Sequence, residues 1–206
     1  MSLSDQSTGY APAAPPAVPS SPIWRLSVAQ YHDMFRAGIL TDDDPVELLE
    51  GWLVPKMMKN PPHAAVTELV RDTLHAVIPL GWHVRQQQPI TLARSEPEPD
   101  LSVVRGRVRD FLDRHPGAEE VALVVEVADA SLQQDRALKK RIYAQAGIAA
   151  YWIINLVDRQ VEVYSQPSGP AAEPDYRRQE VFGASDLIPL SIGAEIGRVA
   201  VKELLP

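Results

Sequence analysis

The chain has 206 residues, no cysteine and a formal net charge of -7 at pH 7. This length suffices for one domain with its own core, and the lack of thiols excludes disulfides and thiolate metal sites, which leaves oxygen and imidazole ligands. An acidic chain does not coat nucleic acid, because such binding rests on neutralisation of phosphates by Lys and Arg, so contact with DNA requires a local basic patch.

The N-terminal 22 residues are rich in proline, alanine and serine and contain little to bury. We expect residues 1–22 to be a disordered leader, followed by a single domain over residues 23–206. No apolar run approaches the roughly 18 to 20 residues of a membrane span, and the N-terminus lacks the basic-then-apolar order of a signal peptide. We therefore expect a soluble, cytoplasmic protein.

Two helices and a hairpin are predicted early in that domain. Ser27 is a suitable N-cap for the first helix. The segment VELLEGWLVPK predicts two short strands around the tight turn Glu50-Gly51. A pair of prolines then introduces a second helix over residues 63–77, with valine and leucine at helical spacing.

The later part of the chain combines strands with one further helix. Short strands are predicted at residues 82–85, 90–92, 101–104, 121–127, 150–155 and 160–166. A helix over residues 132–146, ended by Gly147, precedes the last two strands. The order of helix, several strands, helix and strands predicts an α+β or mixed α/β fold and not a regular βαβ array.

One carboxylate, Glu126, stands out along the chain. It lies near the end of the run VALVVEVAD, which is otherwise typical of fully buried sheet, and a buried charge is costly without a partner or a metal. Asp100 opens the preceding strand in EPEPDLSVV, so the two carboxylates can meet if these strands pair antiparallel. The helix that follows carries Lys139. Together the three side chains outline a metal-dependent phosphodiesterase site.

The helix over residues 132–146 has an uneven distribution of charge. At about 100° per residue, Asp135, Lys139 and Tyr143 lie on the apolar, sheet-facing side, whereas Arg136 and Lys140 point away from it. One interpretation is a simple i,i+4 ion pair between Asp135 and Lys139, worth about 0.2–0.5 kcal/mol. The other is that the lysine reaches over the sheet end toward the two carboxylates, to stabilise a charged transition state or orient water.

Three segments carry a resemblance to a known family: PEPD (97–100), LVVEV (123–127) and DRALKKRIYAQAGIAAYWIIN (135–155). They resemble the Uma-two family of bacterial restriction-endonuclease-like proteins, a branch of the PD-(D/E)XK nuclease superfamily. The resemblance extends from about Leu26 to the end of the chain and includes VELLEGWLV and the Pro-Pro-His after it. It implies a restriction-endonuclease-like core, a mixed sheet flanked by helices, and an endonuclease that hydrolyses DNA.

The resemblance also implies roles for individual residues. Asp100 corresponds to the motif aspartate and Glu126 to the glutamate of (D/E)XK. The position two after Glu126 is Ala128, where the superfamily pattern places a lysine. Lys139 would then supply the amine from the helix. It is the central residue of the D-x-x-x-K-x-x-x-Y pattern formed by Asp135, Lys139 and Tyr143, which is part of the resemblance to this branch. This departure leaves open a non-catalytic interaction module that retains the nuclease-like fold, and, less strongly, phosphodiester chemistry on RNA.

Two carboxylates suit one or two Mg²⁺ or Mn²⁺ ions, because these hard cations take oxygen ligands and retain waters. Glu47, within the resemblance, is either a further metal ligand or a solvated strand end. His63 is either a structural residue at the start of a helix or a contact of the site. Glu96 and Glu98 flank the PD motif and are expected to face solvent.

A homodimer is expected, because single-site protomers that cut both strands of a duplex need two sites related by symmetry. The candidate surfaces are the apolar C-terminal segment, residues 187–205, and the first helix. The expected partner is DNA.

Overall fold

The structure is a computed structural model that describes residues 22–206. The predicted leader therefore lies outside the described residues, except for Pro22. The helices are α1 (Val28–Arg36), α2 (Pro61–Val77), α3 (Leu132–Gln134) and α4 (Lys140–Ala146), and a π-helical turn, Asp135–Lys139, joins α3 to α4. The strands are β1 (Val46–Leu49), β2 (Trp52–Pro55), β3 (Trp82–Gln86), β4 (Leu101–Arg105), β5 (Val121–Ala128), β6 (Ala150–Asn155), β7 (Gln160–Pro167), β8 (Tyr176–Phe182), β9 (Leu187–Ile192) and β10 (Glu195–Ala200).

A six-stranded mixed sheet lies at the centre of the fold and confirms the predicted α+β class. Its order is β3-β4-β5-β6-β7-β8. Strands β5 and β6 are parallel, and every other neighbouring pair is antiparallel. Because parallel strands need a crossover connection, the helical segment from α3 to α4 runs between β5 and β6 and covers one face of the sheet. The hairpins β1-β2 and β9-β10 form two small separate sheets.

Local signals set the first helix and the first hairpin as predicted. The N–H of Gln30 donates to Ser27 Oγ at 3.2 Å, and the N–H of Ser27 donates back to Gln30 Oε1 at 2.9 Å, which is a capping box. In the turn between β1 and β2, Glu50 and Gly51 have φ of 50° and 85°. A Cβ at Gly51 would lie 2.8 Å from the carbonyl oxygen of Leu26, so a larger residue does not fit there.

Hydrophobic layers cover both faces of the sheet, which explains why β5 has an almost continuous apolar sequence. On one face, α2 and the C-terminal hairpin pack against residues that include Val125, Val127 and Trp152. On the other face, α4 packs against residues that include Val124 and Tyr151. Among the helices of residues 22–206, none has the length and apolarity needed to cross a membrane.

Two expectations from the sequence are wrong, for the strand at residues 90–92 and for the C-terminal segment. Residues 90–92 form no strand: Ile90 is fully buried, but the segment makes only an isolated bridge at Thr91, because its N–H groups donate to loop carbonyls. The predicted helix over 132–146 is confirmed in its ends, Leu132 and Ala146, although a π turn interrupts its α-helical geometry. The C-terminal segment is mainly core and not a free surface, because its alternating apolar side chains pack against the sheet, leaving Leu187 and Ile196 exposed. The single domain and the homodimer stay predictions.

Candidate active site

Strand pairing brings the two motif carboxylates together. Strands β4 and β5 are antiparallel with Leu101 opposite Val125, so Asp100 comes beside Glu126. The N–H of Asp100 donates to Glu126 Oε2 at 3.3 Å, and Asp100 Oδ2 accepts from the N–H of Val127 at 2.9 Å. The antiparallel pairing on which the sequence interpretation depended is confirmed.

The π turn and α4 add an ammonium and a phenol to this end of the sheet. Lys139 Nζ lies 3.0 Å from Glu126 Oε1 and 3.4 Å from Glu47 Oε1. The Tyr143 hydroxyl donates to Glu126 Oε1 at 2.8 Å. Asp135 is buried and its Oδ2 accepts from the Ser131 hydroxyl at 2.6 Å. Lys139 thus pairs across to the strands and not with Asp135, so the simple i,i+4 pair does not describe it.

Glu47 and His63 also reach the two carboxylates. Glu47 is buried on β1, and its Oε2 accepts from the N–H of Glu98 at 3.0 Å, so the solvated strand end is the wrong alternative. His63 Nε2 lies 3.1 Å from Asp100 Oδ2. This contact is possible because α2 begins two residues before His63, with Asn60 as its N-cap. His63 therefore contacts the site.

The expectation that Glu96 and Glu98 face solvent is wrong. Glu96 is buried, and its Oε2 lies 2.7 Å from His32 Nε2 in α1 and accepts from the Thr91 hydroxyl at 2.7 Å. Glu98 Oε2 lies 2.6 Å from Lys56 Nζ. Glu96 and Glu98 thus link the segment of the PD motif to α1 and to the end of the first hairpin. These contacts could not be predicted, because the paired residues are far apart in the sequence.

Burial and crowded carboxylates perturb the acid groups of the site. Burial, together with the charges of Asp135, Asp100 and Glu47, raises the pKa of Glu126 to about 8, although Lys139 opposes the rise. Burial raises the pKa of Asp135 to about 6. For Lys139 burial acts to lower the pKa, but Glu126, Glu47 and Asp135 outweigh it and raise the pKa, so this side chain stays protonated.

Asp100 behaves in the opposite way to Glu126. Burial acts to raise its pKa, but the hydrogen bond and charge of His63, the N–H of Val127 and the charge of Lys139 together lower it. Asp100 is therefore ionised at neutral pH, whereas Glu126 holds its proton more readily. One ammonium lies among several carboxylates here, and Glu126, whose pKa is raised chiefly by burial, loses its proton at a higher pH than Asp100 or Asp135.

The pocket around these groups is rich in acidic side chains. Six carboxylates line it: Glu47, Glu98, Asp100, Glu126, Asp129 and Asp135. Three lysines line it: Lys56, Lys59 and Lys139. Within residues 22–206, no three histidine, aspartate or glutamate side chains are arranged to hold a metal ion. The donor set nevertheless fits a hard divalent cation, because its ligands would be carboxylate oxygens with an excess of negative charge.

Sequence reasoning missed Asn60 and Asp129, which line the same pocket. Asn60 Nδ2 donates to Asp129 Oδ2 at 2.7 Å and so joins the start of α2 to the end of β5. A signal for the first residue existed, because asparagine before two prolines is a common helix start. The contact itself depends on the tertiary fold and has no local signal.

Comparison with known proteins supports this description. The profile of the Uma2 family, described as "Putative restriction endonuclease", matches residues 28–200. The crystal structure of a "putative nuclease belonging to DUF820" from Anabaena variabilis ATCC 29413 has a TM-score of 0.66, with 17% sequence identity, and the match covers 87% of this chain and 97% of that chain. At such low identity the similarity shows the fold alone. No curated protein matches the chain. Because the profile spans most of the sequence, this chain belongs to the Uma2 family.

Proposed function

We propose that this protein is an endonuclease that hydrolyses DNA phosphodiester bonds with a divalent cation. The proposal rests on one observation: Lys139 Nζ lies 3.0 Å from Glu126 in a buried, predominantly acidic pocket that also contains Asp100. Membership of a family described as a restriction endonuclease supports the same assignment.

Asp100 and Glu126 are the two residues that would hold Mg²⁺ or Mn²⁺, and Glu47 is the candidate for a further ligand. When bound, such an ion activates water and neutralises charge at the reacting phosphate. Asp100, with its lowered pKa, is ready to act as an anionic ligand at neutral pH. His63 and the N–H of Val127 fix the orientation of that carboxylate through hydrogen bonds to Oδ2.

Lys139 has the properties of a transition-state donor. Because its pKa is raised, it does not accept a proton from water at neutral pH. It instead presents a fixed positive charge and N–H donors to the negative charge that develops on the phosphate oxygens. Tyr143 and Lys139 both donate to Glu126 Oε1, so Tyr143 positions the carboxylate that holds the lysine.

Plasmid DNA incubated with the purified protein tests this proposal. We expect nicking or linearisation with Mn²⁺ or Mg²⁺, loss of cleavage with a chelator, and no cleavage by Glu126→Ala prepared in parallel, which controls for contaminating nucleases. Ala128 at the usual motif lysine position favours the alternative, a non-catalytic module with the nuclease-like fold. A folded protein that binds Mn²⁺ yet cuts neither DNA nor RNA would establish that alternative.

We also propose that the protein acts as a homodimer, since two symmetric sites are needed to cut both strands. Of the two surfaces considered from the sequence, the C-terminal hairpin packs Ile188, Leu190, Ile192 and Val199 into the core, whereas Tyr31 is the one residue that α1 buries fully. Sedimentation at micromolar concentration measures the oligomeric state. A monomer would weaken the case for double-strand cleavage and favour single-strand nicking or the non-catalytic role.

A further inference from the structure

A buried arginine without a counter-ion lies outside the acidic pocket. The Arg85 side chain on β3 is 8% exposed, and its Nε is fully buried with no hydrogen-bond partner among the described residues. Burial lowers the pKa of its guanidinium, and no neighbouring carboxylate offsets this effect. A buried guanidinium without an anion is costly, so the protein retains it for a reason other than stability.

Two further buried polar atoms without partners accompany this arginine. Ser102, which is opposite Arg85 in the β3-β4 pair, is 1% exposed, and its Oγ has no partner in residues 22–206. His83 is two residues before Arg85 and therefore on the same face of β3. Its Nδ1 lies 2.9 Å from the carbonyl oxygen of Gly106, whereas its Nε2 is buried and unpartnered within the same range. Such atoms are rare in native proteins, so three on one face of the β3-β4 pair require an explanation, which is either ordered water or a bound ligand.

These atoms lie next to the candidate active site. In the register of the sheet, Ser102 is opposite both Arg85 and Val124, so Arg85 shares a sheet face with Glu126, two residues beyond Val124. Asp100 is two residues from Ser102 on the adjacent strand. With about 3.3 Å per residue and about 4.8 Å between strands, the backbones at Arg85 and Asp100 are roughly 8 Å apart. This is a distance of two or three nucleotides along one strand at about 3.4 Å each.

A cleft of about 930 Å³ extends from the rim of the acidic pocket to Phe111, and Arg85 lies behind that ring and not in the lining of the cleft. The Phe111 ring lies over the Arg85 guanidinium at 5.7 Å and lines this cleft, as does His115. At its other end the cleft is lined by Glu47 and Lys56, which also line the acidic pocket. An extended ligand in the acidic pocket can therefore continue along this cleft as far as Phe111, the ring that covers Arg85.

We propose that Arg85 and Ser102, with His83 beside them, form a phosphate-binding subsite next to the acidic pocket. A guanidinium presents a planar fork of donors that matches phosphate oxygens, and a serine hydroxyl adds a further donor. The phosphate belongs either to a nucleic-acid strand that continues past the cleavage site, which rests on the proposed function, or to a free phosphate. A purely structural role for Arg85 would require packing alone, and Phe111 is the group on which the guanidinium would stack.

Binding measured in a chelator, where no cleavage occurs, tests the subsite. Arg85→Met removes the charge but keeps a long side chain that can pack on Phe111. We expect it to weaken binding of fluorescently labelled DNA by about 10-fold or more, as measured by anisotropy, because charge-assisted hydrogen bonds are lost. Arg177→Met, at an exposed arginine on the opposite edge strand, β8, is the matched control and should change binding far less.

The second experiment measures the effect of inorganic phosphate on thermal stability. Phosphate should raise the melting temperature of the wild type above that in chloride of equal ionic strength, and this rise should be absent in Arg85→Met. A phosphate effect with unchanged DNA binding identifies a free phosphate as the ligand, whereas weakened DNA binding identifies a strand phosphate. Equal behaviour of Arg85→Met and Arg177→Met in both experiments overturns the subsite. Arg85→Gln gives the same comparison if the methionine variant does not fold.

The two proposals fail separately. A wild-type protein that never cuts DNA but binds it in an Arg85-dependent way overturns the proposed function and leaves the subsite. The subsite alone is overturned if the protein cleaves DNA with a metal ion, but neither its DNA binding nor its stabilisation by phosphate depends on Arg85.

Discussion

Two buried glutamates on strands of the same sheet have opposite electrostatic surroundings. Glu162 on β7 is 1% exposed, and Arg136 donates to its Oε1 at 2.6 Å. Asn155 donates to it at 2.8 Å and the Tyr164 hydroxyl at 2.7 Å. Burial acts to raise the pKa of Glu162, but these hydrogen bonds outweigh it, so the pKa is lowered. This carboxylate is fully satisfied.

Glu126 on β5 is almost as deeply buried but shares the single ammonium of Lys139 with Glu47. Its pKa is raised to about 8, chiefly by burial. Both sites have hydrogen bonds to their oxygens, so burial and bonding alone do not distinguish them. The balance of charge does: Glu162 is matched by its arginine, whereas the cluster at Glu126 has more negative charge than its lysine can neutralise. The first site therefore supports the fold, and the second has the excess of negative charge that the proposed cation would neutralise.

The largest expected difference is in cleavage. Asp100→Ala and Glu126→Ala should each lower the initial rate with Mn²⁺ by on the order of 10³-fold or more, because each removes a group on which the reaction depends. Glu162→Ala should leave the rate per folded molecule within a few-fold of wild type. An equal loss in Glu162→Ala would remove the distinction between the two glutamates.

Lys139 is expected to have the next largest effect. Lys139→Ala should cut DNA about 10²-fold to 10³-fold more slowly while it still binds Mn²⁺, because it removes a transition-state donor and not a ligand. The control is Lys140→Ala, since Lys140 Nζ pairs with Asp175 at 2.9 Å, away from the acidic pocket. Rates and Mn²⁺ titrations measure both. Similar damage in the two variants would contradict the assignment of Lys139.

Substitution of Glu162, which should have little effect on cleavage, should have a clear effect on the free energy of unfolding. Glu162→Ala should lower the free energy of unfolding by about 1–3 kcal/mol, because it leaves Arg136, Asn155 and Tyr164 without their shared acceptor. Denaturant unfolding measures this change, with Glu195→Ala at an exposed position as the control. A Glu162→Ala protein as stable as its control would mean that this network contributes nothing to the fold.

The smallest effect is in the pH dependence of stability. The folded pKa of Glu126, about 8, lies above its ordinary value of 4.5, so the stability it contributes is present below pH 4.5 and is lost as the pH rises toward 8. In a chelator, Glu126→Gln should therefore gain melting temperature relative to wild type between pH 5 and pH 8. Glu162 has a lowered pKa, so its contribution is lost as the pH falls below 4.5. A pH-independent difference between Glu126→Gln and wild type would contradict this account.

The sequence allowed much of the fold and the centre of the site to be predicted. Asp100, Glu126 and Lys139 are brought together by strand burial, antiparallel pairing and helical phase, which are local or nearly local properties. Their catalytic roles stay a prediction. The burial of Glu47 was not predictable, because it depends on how the first hairpin packs against a distant loop.

Contacts across the sheet were missed for the same reason. Arg136 was expected to point away from the sheet, and its side chain is partly exposed, yet its guanidinium reaches Glu162 on a strand 26 residues later. Arg85 has an ordinary strand sequence around it, and nothing local indicates that its side chain is buried without an anion. Such contacts arise from tertiary packing and cannot be predicted from the spacing of apolar residues along a helix or strand.

The π turn, Asp135–Lys139, contacts both Glu126 and Glu162. Arg136 and Lys139 lie in this one turn, and each reaches a different glutamate. The Arg136–Glu162 pair therefore anchors the segment from which the lysine extends. In the proposed mechanism, Lys139 would turn from Glu126 to a substrate phosphate by rotation of its own side chain, while Arg136 holds the backbone of the turn in place.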